Sequence, residues 1–444
     1  MLQIPIKWEG TARQIGQRLV NRWLTNLADA PQANRPVAYI FVMGNAVEIL
    51  RAFDFELAFP EINSLQTGVR KKAPEFLASA EDDGLSTDVC SYVKADVGLM
   101  MNQMHHPSGI DMPGPDLAVA SSLCNTYIKW AEIWERHYQK PAFVLHIPGQ
   151  RFAGWNDHNT AANLDADTAW VKSQLEDLIE VCEHITGKRL DLDRLAEIED
   201  NVNQMTRLWT DILAMNRLRP APFNAMLDGL TYMGVMNAYR GTAEGLAYMQ
   251  LLHQELADRV QRGEGFRVEE RFRLLMSGTP CYPNLRRMIE LFEEHGGVFV
   301  YADYLTYAAG GMDSAAMEYD TSRPLDSLAE ITTVASQRGL SDHFFSHLTL
   351  GRKAEEFAAD GIVYHGVKSC RTVSTSMTDS REYVNSHHGV ATLYIESDLI
   401  DPRYWSDAQI KNRIEAFFEV LEQRRSSSHG QQLKEVSHVV RGRH

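Results

Sequence analysis

Apolar positions near the start of the chain recur every four residues. Ile15, Leu19, Trp23 and Leu27 share one face, which predicts an amphipathic helix closed by the stretch between Pro31 and Pro36. The period then changes. Val37–Met43 (VAYIFVM) is a short, nearly unbroken apolar run, as in a strand buried on both faces, and Gly44 leads into a helical Ala46–Phe53. A second buried run, Leu117–Leu123, precedes a helical Tyr127–His137, and Phe143–Ile147 (FVLHI) reads as a strand stopped by Pro148 and Gly149. Such alternation predicts a parallel α/β layer. From about Thr168 to Arg262 long helical patterns replace it, through Leu175, Leu178 and Cys182, then Leu195 to Leu213, then Met233 to Leu256. Alternation resumes with Arg273–Met276, the turn Ser277-Gly278-Thr279-Pro280, a helix Met288–His295 and a strand Gly297–Tyr301 (GVFVY). Further strands are expected at Gly361–Val367 (GIVYHGV) and Ala391–Ile395 (ATLYI), separated by a polar loop Lys368–Asp379, with a closing helix over about Asp407–Gln423.

These patterns divide the chain into a helical N-terminal cap (1–36), a first α/β domain (37–167), a helical insert (168–265), a second α/β domain (266–423) and a polar tail (424–444) that reads as mobile or as a contact arm. The two α/β halves are candidates for a diverged duplication. A length of 444 residues, 44% hydrophobic and 23% charged, suits two or three ordinary folded domains. The net charge of −15 argues against non-specific binding to nucleic acid or to an anionic membrane. No apolar stretch is long enough to cross a bilayer, and Met1–Gly10 lacks a secretory pattern, so a cytoplasmic location is expected.

Common catalytic devices are absent from the sequence. It holds no GxxxxGK[ST] phosphate loop, no GxGxxG after a strand, no HExxH and no CxxC. The pairs His105-His106 and His387-His388 read as solvated loop histidines rather than metal ligands.

The five cysteines, spread from Cys90 to Cys370, are no disulfide framework and are expected as free thiols or metal ligands. Cys90 precedes a segment of helical period, where backbone amides are expected to favour thiolate. Cys124 and Cys370 each follow a predicted strand, at the edge where open α/β sheets bind ligands. Three such cysteines, two from one α/β domain and one from the other, can converge on the cleft between the domains. Thiolates select iron–sulfur clusters, zinc or copper(I), and three would leave one metal position open. Buried thiols without a role are the competing reading. Cys182 falls inside a helical apolar pattern and reads as core. Cys281, beside Pro280, is a reserve ligand.

The segments DVCSYVKADVGLM, DLAVASSLCNTYIKWAEIWE with KPAFVLHIPG, RLLMSGTPCYPNL with GGVFVYADYL, DGIVYHGVKSCRT, and GVATLYIESDLIDPR with QIKNRIEAFFEVLE resemble, in that order, the 2-hydroxyacyl-CoA dehydratase and benzoyl-CoA reductase family. The likeness runs from about residue 37 to 423. It implies two flavodoxin-like parallel-sheet lobes with a 4Fe-4S cluster in the interdomain cleft, held by three cysteines that match Cys90, Cys124 and Cys370. Cys281 lies outside that set. The resemblance further implies a homologous cluster-bearing partner subunit, separate ATP-hydrolysing iron–sulfur activator subunits fed by ferredoxin, and an acyl-CoA substrate. In the dehydratases of the family an electron reduces the thioester to a ketyl radical anion that expels a hydroxyl group. In the reductases, electrons and protons enter an aromatic ring to give a cyclic dienoyl-CoA. The chain's length and segments resemble the B (beta) type of reductase subunit more than a dehydratase subunit, which stands as the alternative, and an iron–sulfur scaffold protein is the non-enzymatic one. His365 and Lys368, just before Cys370, are by position candidates to support the cluster ligands.

Overall fold

The structure, a computed structural model, describes residues 8–42, 46–149, 151–153, 156–157, 159–309, 312, 316–344 and 346–441. The first helix, Ala12–Asp29, is started by a capping box between Thr11 and Gln14 and buries Ile15, Leu19, Trp23 and Leu27 on one face. Trp23 fastens it to the first sheet by donating Nε1–H to the Leu57 carbonyl at 2.8 Å.

The first sheet holds β1 (Val37–Ile40), β2 (Glu56–Ala58), β3 (Leu117–Ser121) and β4 (Ala142–Leu145) in the order β2-β1-β3-β4, every pairing parallel. β1 and β3, the central pair, are buried along their whole length, which is why their sequences read as unbroken apolar runs. A small antiparallel ribbon follows, β5 (Phe152–Ala153) with β6 (Asn156–Asp157). The second sheet holds β7 (Phe272–Ser277), β8 (Gly297–Ala302), β9 (Gly361–Val367) and β10 (Ala391–Ser397), again all parallel. Its order, read from β8, is β8-β7-β9-β10. That is the first sheet's order repeated, second-first-third-fourth, so both lobes are flavodoxin-like and both change winding direction between their first and third strands.

Between the sheets run the long helices Ala161–Thr186, Leu192–Met215 and Ala243–Gln261, with a shorter one at Gly229–Ala238. Gly229–Ala238 packs on the N-terminal helix and on the 3₁₀ segment Asp303–Ala309, which ties the insert to both lobes. Close approach of the lobes depends on Gly68: a Cβ there would stand 2.6 Å from Ile400 Cγ2.

Several sequence expectations change. β1 ends at Ile40, and Met43 and Gly44 lie outside the described residues. β2 and the helices Pro60–Val69 and Ala73–Asp82 carry no readable period; β2 is three residues long, too short for alternation to register. The polar stretch Lys368–Asp379 is largely helical, in Arg371–Ser374 and the start of Met377–His388; Val373, Met377, Ser380 and Val384 turn inward, while Arg371, Thr375, Thr378 and Asp379 stay in water. The last helix continues past Gln423, spanning Asp407–Arg441. No helix among the described residues is long and apolar enough to cross a membrane.

Candidate functional site

Cys90, Cys124 and Cys370 occupy the same local position three times over: each is the residue that caps the N-terminus of a helix. Cys90 starts Ser91–Met101, Cys124 starts Asn125–Tyr138, and Cys370 starts Arg371–Ser374. Cys124 follows β3 and Cys370 follows β9, the third strand of each lobe, so the duplicated topology delivers both to the carboxyl edge where the winding reverses. Cys90 arrives by the crossover from β2 to β3. All three are partly buried.

The thiols lie near enough to act on one another. Burial pushes the Cys90 thiol well above its usual range, and Cys370 and Cys124 add to the rise, outweighing the Tyr92 and Val93 amides that donate to its sulfur. Cys370 is pushed up to about 11, first by burial; amides of Val373 and Thr372 pull it down, while Cys124 and Asp398 push it further. The helix-start position by itself predicts thiolate at Cys90. The opposite holds in the chain alone, because desolvation beside two further thiols exceeds what two amides return. Among the described residues, no set of three or more His, Cys, Asp or Glu side chains closes on one point as a single chelated ion requires.

Beside this group stands a buried acid that sequence patterning does not single out. Glu61, on helix Pro60–Val69, accepts from the Tyr127 hydroxyl at 2.7 Å and from the Val42 amide at 2.5 Å. Burial raises its carboxyl to about 7, partly countered by those two bonds. Tyr127 stacks on Phe41 at 3.7 Å and feels both Glu61 and Cys124, so acid, phenol and thiol form one neighbourhood. Tyr92 from the first lobe and Tyr282 from the second, rings 6.4 Å apart, also sense Glu61. The available signal was an acid directly after the apolar Leu57-Ala58-Phe59-Pro60, where no solvated helix face had yet begun.

Other residues singled out by sequence fall elsewhere. Cys182 is fully buried in the helical insert and its thiol is pushed up to about 12 by burial. Cys281 is buried, its thiol bonded by Ser397 and Asn284, and burial pushes that thiol up. His365 is wholly buried with both ring nitrogens occupied, Nδ1 by the Thr279 carbonyl and Nε2 by Ser397 Oγ at 2.6 Å, so it staples the second lobe. Lys368 is half-exposed and pairs with Glu396 at 2.8 Å. His105 is exposed, but His106 is buried with Nε2 3.0 Å from the Asn63 carbonyl. His387 and His388 close helix Met377–His388 rather than lying in a loop. On the helix that Cys124 starts, Trp130 and Trp134 are core residues whose indole N–H groups both donate to Asp96 at 2.7 Å.

The family model described as 2-hydroxyglutaryl-CoA dehydratase, D-component, matches residues 44–421. The chain belongs to that family. It is 32% identical over 417 residues to the B subunit of benzoyl-CoA reductase from Thauera aromatica, covering 90% of this chain and 92% of the relative. It is 27% identical over 438 residues to the (R)-2-hydroxyisocaproyl-CoA dehydratase alpha subunit of Clostridioides difficile, covering 95% and 98%. The (R)-phenyllactyl-CoA dehydratase alpha subunit of Clostridium sporogenes is 25% identical over 380 residues, covering 84% and 87%. Members of the family with these names are subunits of acyl-CoA reductases or dehydratases, and the two-lobed architecture with its doubled strand order is the frame in which this member's cysteines must be read.

Proposed function

We propose that the chain is the B-type subunit of an ATP-dependent benzoyl-CoA reductase and that Cys90, Cys124 and Cys370 hold a 4Fe-4S cluster between its lobes. The observation that carries this reading is the convergence of three helix-capping thiols, two from one lobe and one from the other, close enough that Cys124 raises the proton affinity of the other two. The donor set fits such a cluster. Sulfur is the ligand type for iron–sulfur centres, and two amides aimed at each of Cys90 and Cys370 are the donors that stabilise a ligating thiolate. When bound, the cluster supplies low-potential electrons and, at the corner without a cysteine, a Lewis-acidic iron for a thioester oxygen.

The chain's own residues supply the rest of the chemistry. Glu61 carries a proton near neutral pH within reach of the Tyr127 hydroxyl, a suitable store for the protons that reduction of an acyl group consumes. Buried Tyr92, Tyr127 and Tyr282 keep water from the space around the thiols. The proposed activity further assigns ATP hydrolysis to separate activator subunits fed by ferredoxin and pairs this chain with a homologous subunit bearing its own cluster, a division of labour with which the missing phosphate loop is compatible.

Anaerobic purification with that partner should give about four irons and four sulfides per copy, and the assembled enzyme should consume benzoyl-CoA. A colourless, iron-free complex would refute the reading. The second reading, a radical 2-hydroxyacyl-CoA dehydratase subunit, is favoured by the nearly full-length match to the hydroxyisocaproyl-CoA enzyme. Consumption of a 2-hydroxyacyl-CoA with benzoyl-CoA untouched would decide for it.

A further inference from the structure

Ser91 directly follows Cys90, and Ser369 directly precedes Cys370, 278 positions later and in the other lobe. The Ser91 amide donates to Ser369 Oγ at 3.1 Å. Ser369 in turn donates its hydroxyl to Asp398 Oδ2 at 2.5 Å and its amide to the same oxygen at 2.9 Å. Asp398, at the end of β10, is held by the Ile400 and Asp401 amides at 3.4 and 3.3 Å. Ser91 and Asp398 are fully buried and Ser369 nearly so, which makes each of these bonds costly to leave unmade.

From this geometry we infer that Ser369, anchored by Asp398, is a positioning residue that latches the two lobes and fixes where Cys90 and Cys370 stand relative to each other. The inference rests on the proposed cluster-holding role of those cysteines. The latch acts on the thiols' immediate neighbours. Holding the Ser91 amide aside leaves the next two amides, of Tyr92 and Val93, to meet the Cys90 sulfur. Without the Ser369 hydroxyl, the Ser91 amide has no partner, the first turn of Ser91–Met101 is free to rotate, and the separation of the two sulfurs is no longer set. The lobes would still stay together, because a second bridge holds the same helix: Lys94 Nζ pairs with Glu81 at 2.9 Å, and Arg403 of the second lobe reaches Glu81 at 2.6 Å and Asp401 at 2.6 Å.

The test compares Ser369→Ala, Ser369→Thr and Asp398→Asn with the wild type, each purified anaerobically with the partner subunit. Ser369→Ala should lose iron to a ferrous chelator roughly 10–100-fold faster, the range typical when a group that orients a metal ligand is removed. Its reduced electron paramagnetic resonance spectrum should change, and Asp398→Asn should move both readouts the same way. Ser369→Thr, which keeps the hydroxyl, should restore both. In the iron-free chain, Ser369→Ala should speed maleimide alkylation of Cys90 and Cys370 about tenfold while leaving Cys124 unchanged, with the urea unfolding midpoint showing that the variant is folded. Wild-type iron release and spectrum in Ser369→Ala would overturn the latch. If the wild type itself carries no iron, the cluster reading fails, and the alkylation rates alone then decide: equal rates in the two chains overturn the latch as well.

Discussion

Replacing Glu61 by glutamine keeps the shape of a side chain sealed beside the thiols and removes its titration. The unfolded carboxyl titrates near 4.5 and the folded one near 7. The folded chain therefore holds the proton more tightly, so stability is fully present below the unfolded value and falls as pH rises toward 7. Each pH unit in that window withdraws about 1.4 kcal/mol, so above pH 7 the wild type carries a penalty of about 3 kcal/mol that Glu61→Gln does not. The amide must turn one N–H toward Tyr127 and keeps a poorer pair of hydrogen bonds, a loss of about 1 kcal/mol. Glu61→Gln should then be less stable than wild type by about 1 kcal/mol at pH 3.5, nearly equal to it at pH 5, and more stable by about 2 kcal/mol at pH 9. Urea unfolding of the iron-free full chain at these pH values reads this directly. In the assembled enzyme the same substitution should cut acyl-CoA turnover by about 100-fold or more if the acid delivers protons. A variant less stable at every one of these pH values would show that Glu61 is ionised in the folded chain, and the proton-store argument would fall with it.

Three further outcomes are expected. Cys90→Ala, Cys124→Ala and Cys370→Ala should each purify with most of their iron missing, while Cys182→Ala, altered only in the helical insert, keeps a wild-type complement; equal iron in all four would contradict the assignment. Glu199 is fully buried with neither carboxyl oxygen bonded among the described residues, and burial, followed by Glu48 and Asp320, raises it to about 9. Its folded-state proton is also the tighter one, so Glu199→Met should stabilise the chain at pH 8, by at most about 5 kcal/mol, and flatten the fall in stability between pH 5 and 9. An unchanged pH slope would count against it. Glu81→Ala strips the carboxylate from Lys94, whose side chain is 1% exposed and keeps only the Thr87 carbonyl at 2.8 Å, and should cost about 3 kcal/mol in urea unfolding; Arg403→Ala, with a side chain 46% exposed, should cost less.

Much of the architecture was legible because it is local. Val37–Ile40, Leu117–Ser121 and Gly361–Val367 are buried on both faces, so their composition alone marks them as central strands. The four-residue period of Ile15, Leu19, Trp23 and Leu27 marked the first helix just as directly. Cys124 and Cys370 were placed correctly at strand ends, since an apolar run that stops before a polar helical stretch locates the sheet edge by itself. β2 escaped because three residues carry no period, and the helix Met377–His388 because its polar face masks the few residues that pack.

What the sequence by itself determined is therefore the central strands, the long helices and which strand ends bear thiols. Tertiary structure alone decided the rest: that both lobes share one strand order, that the Ser91 amide meets Ser369 Oγ across 278 positions, that Glu61 is sealed beside Tyr127, and that Cys90 binds its proton more tightly instead of releasing it. The physical reason is range. Periodicity is set by the burial of neighbours a few residues apart, whereas proton affinity and thiol separation depend on desolvation and charge from segments that meet only after both lobes have folded.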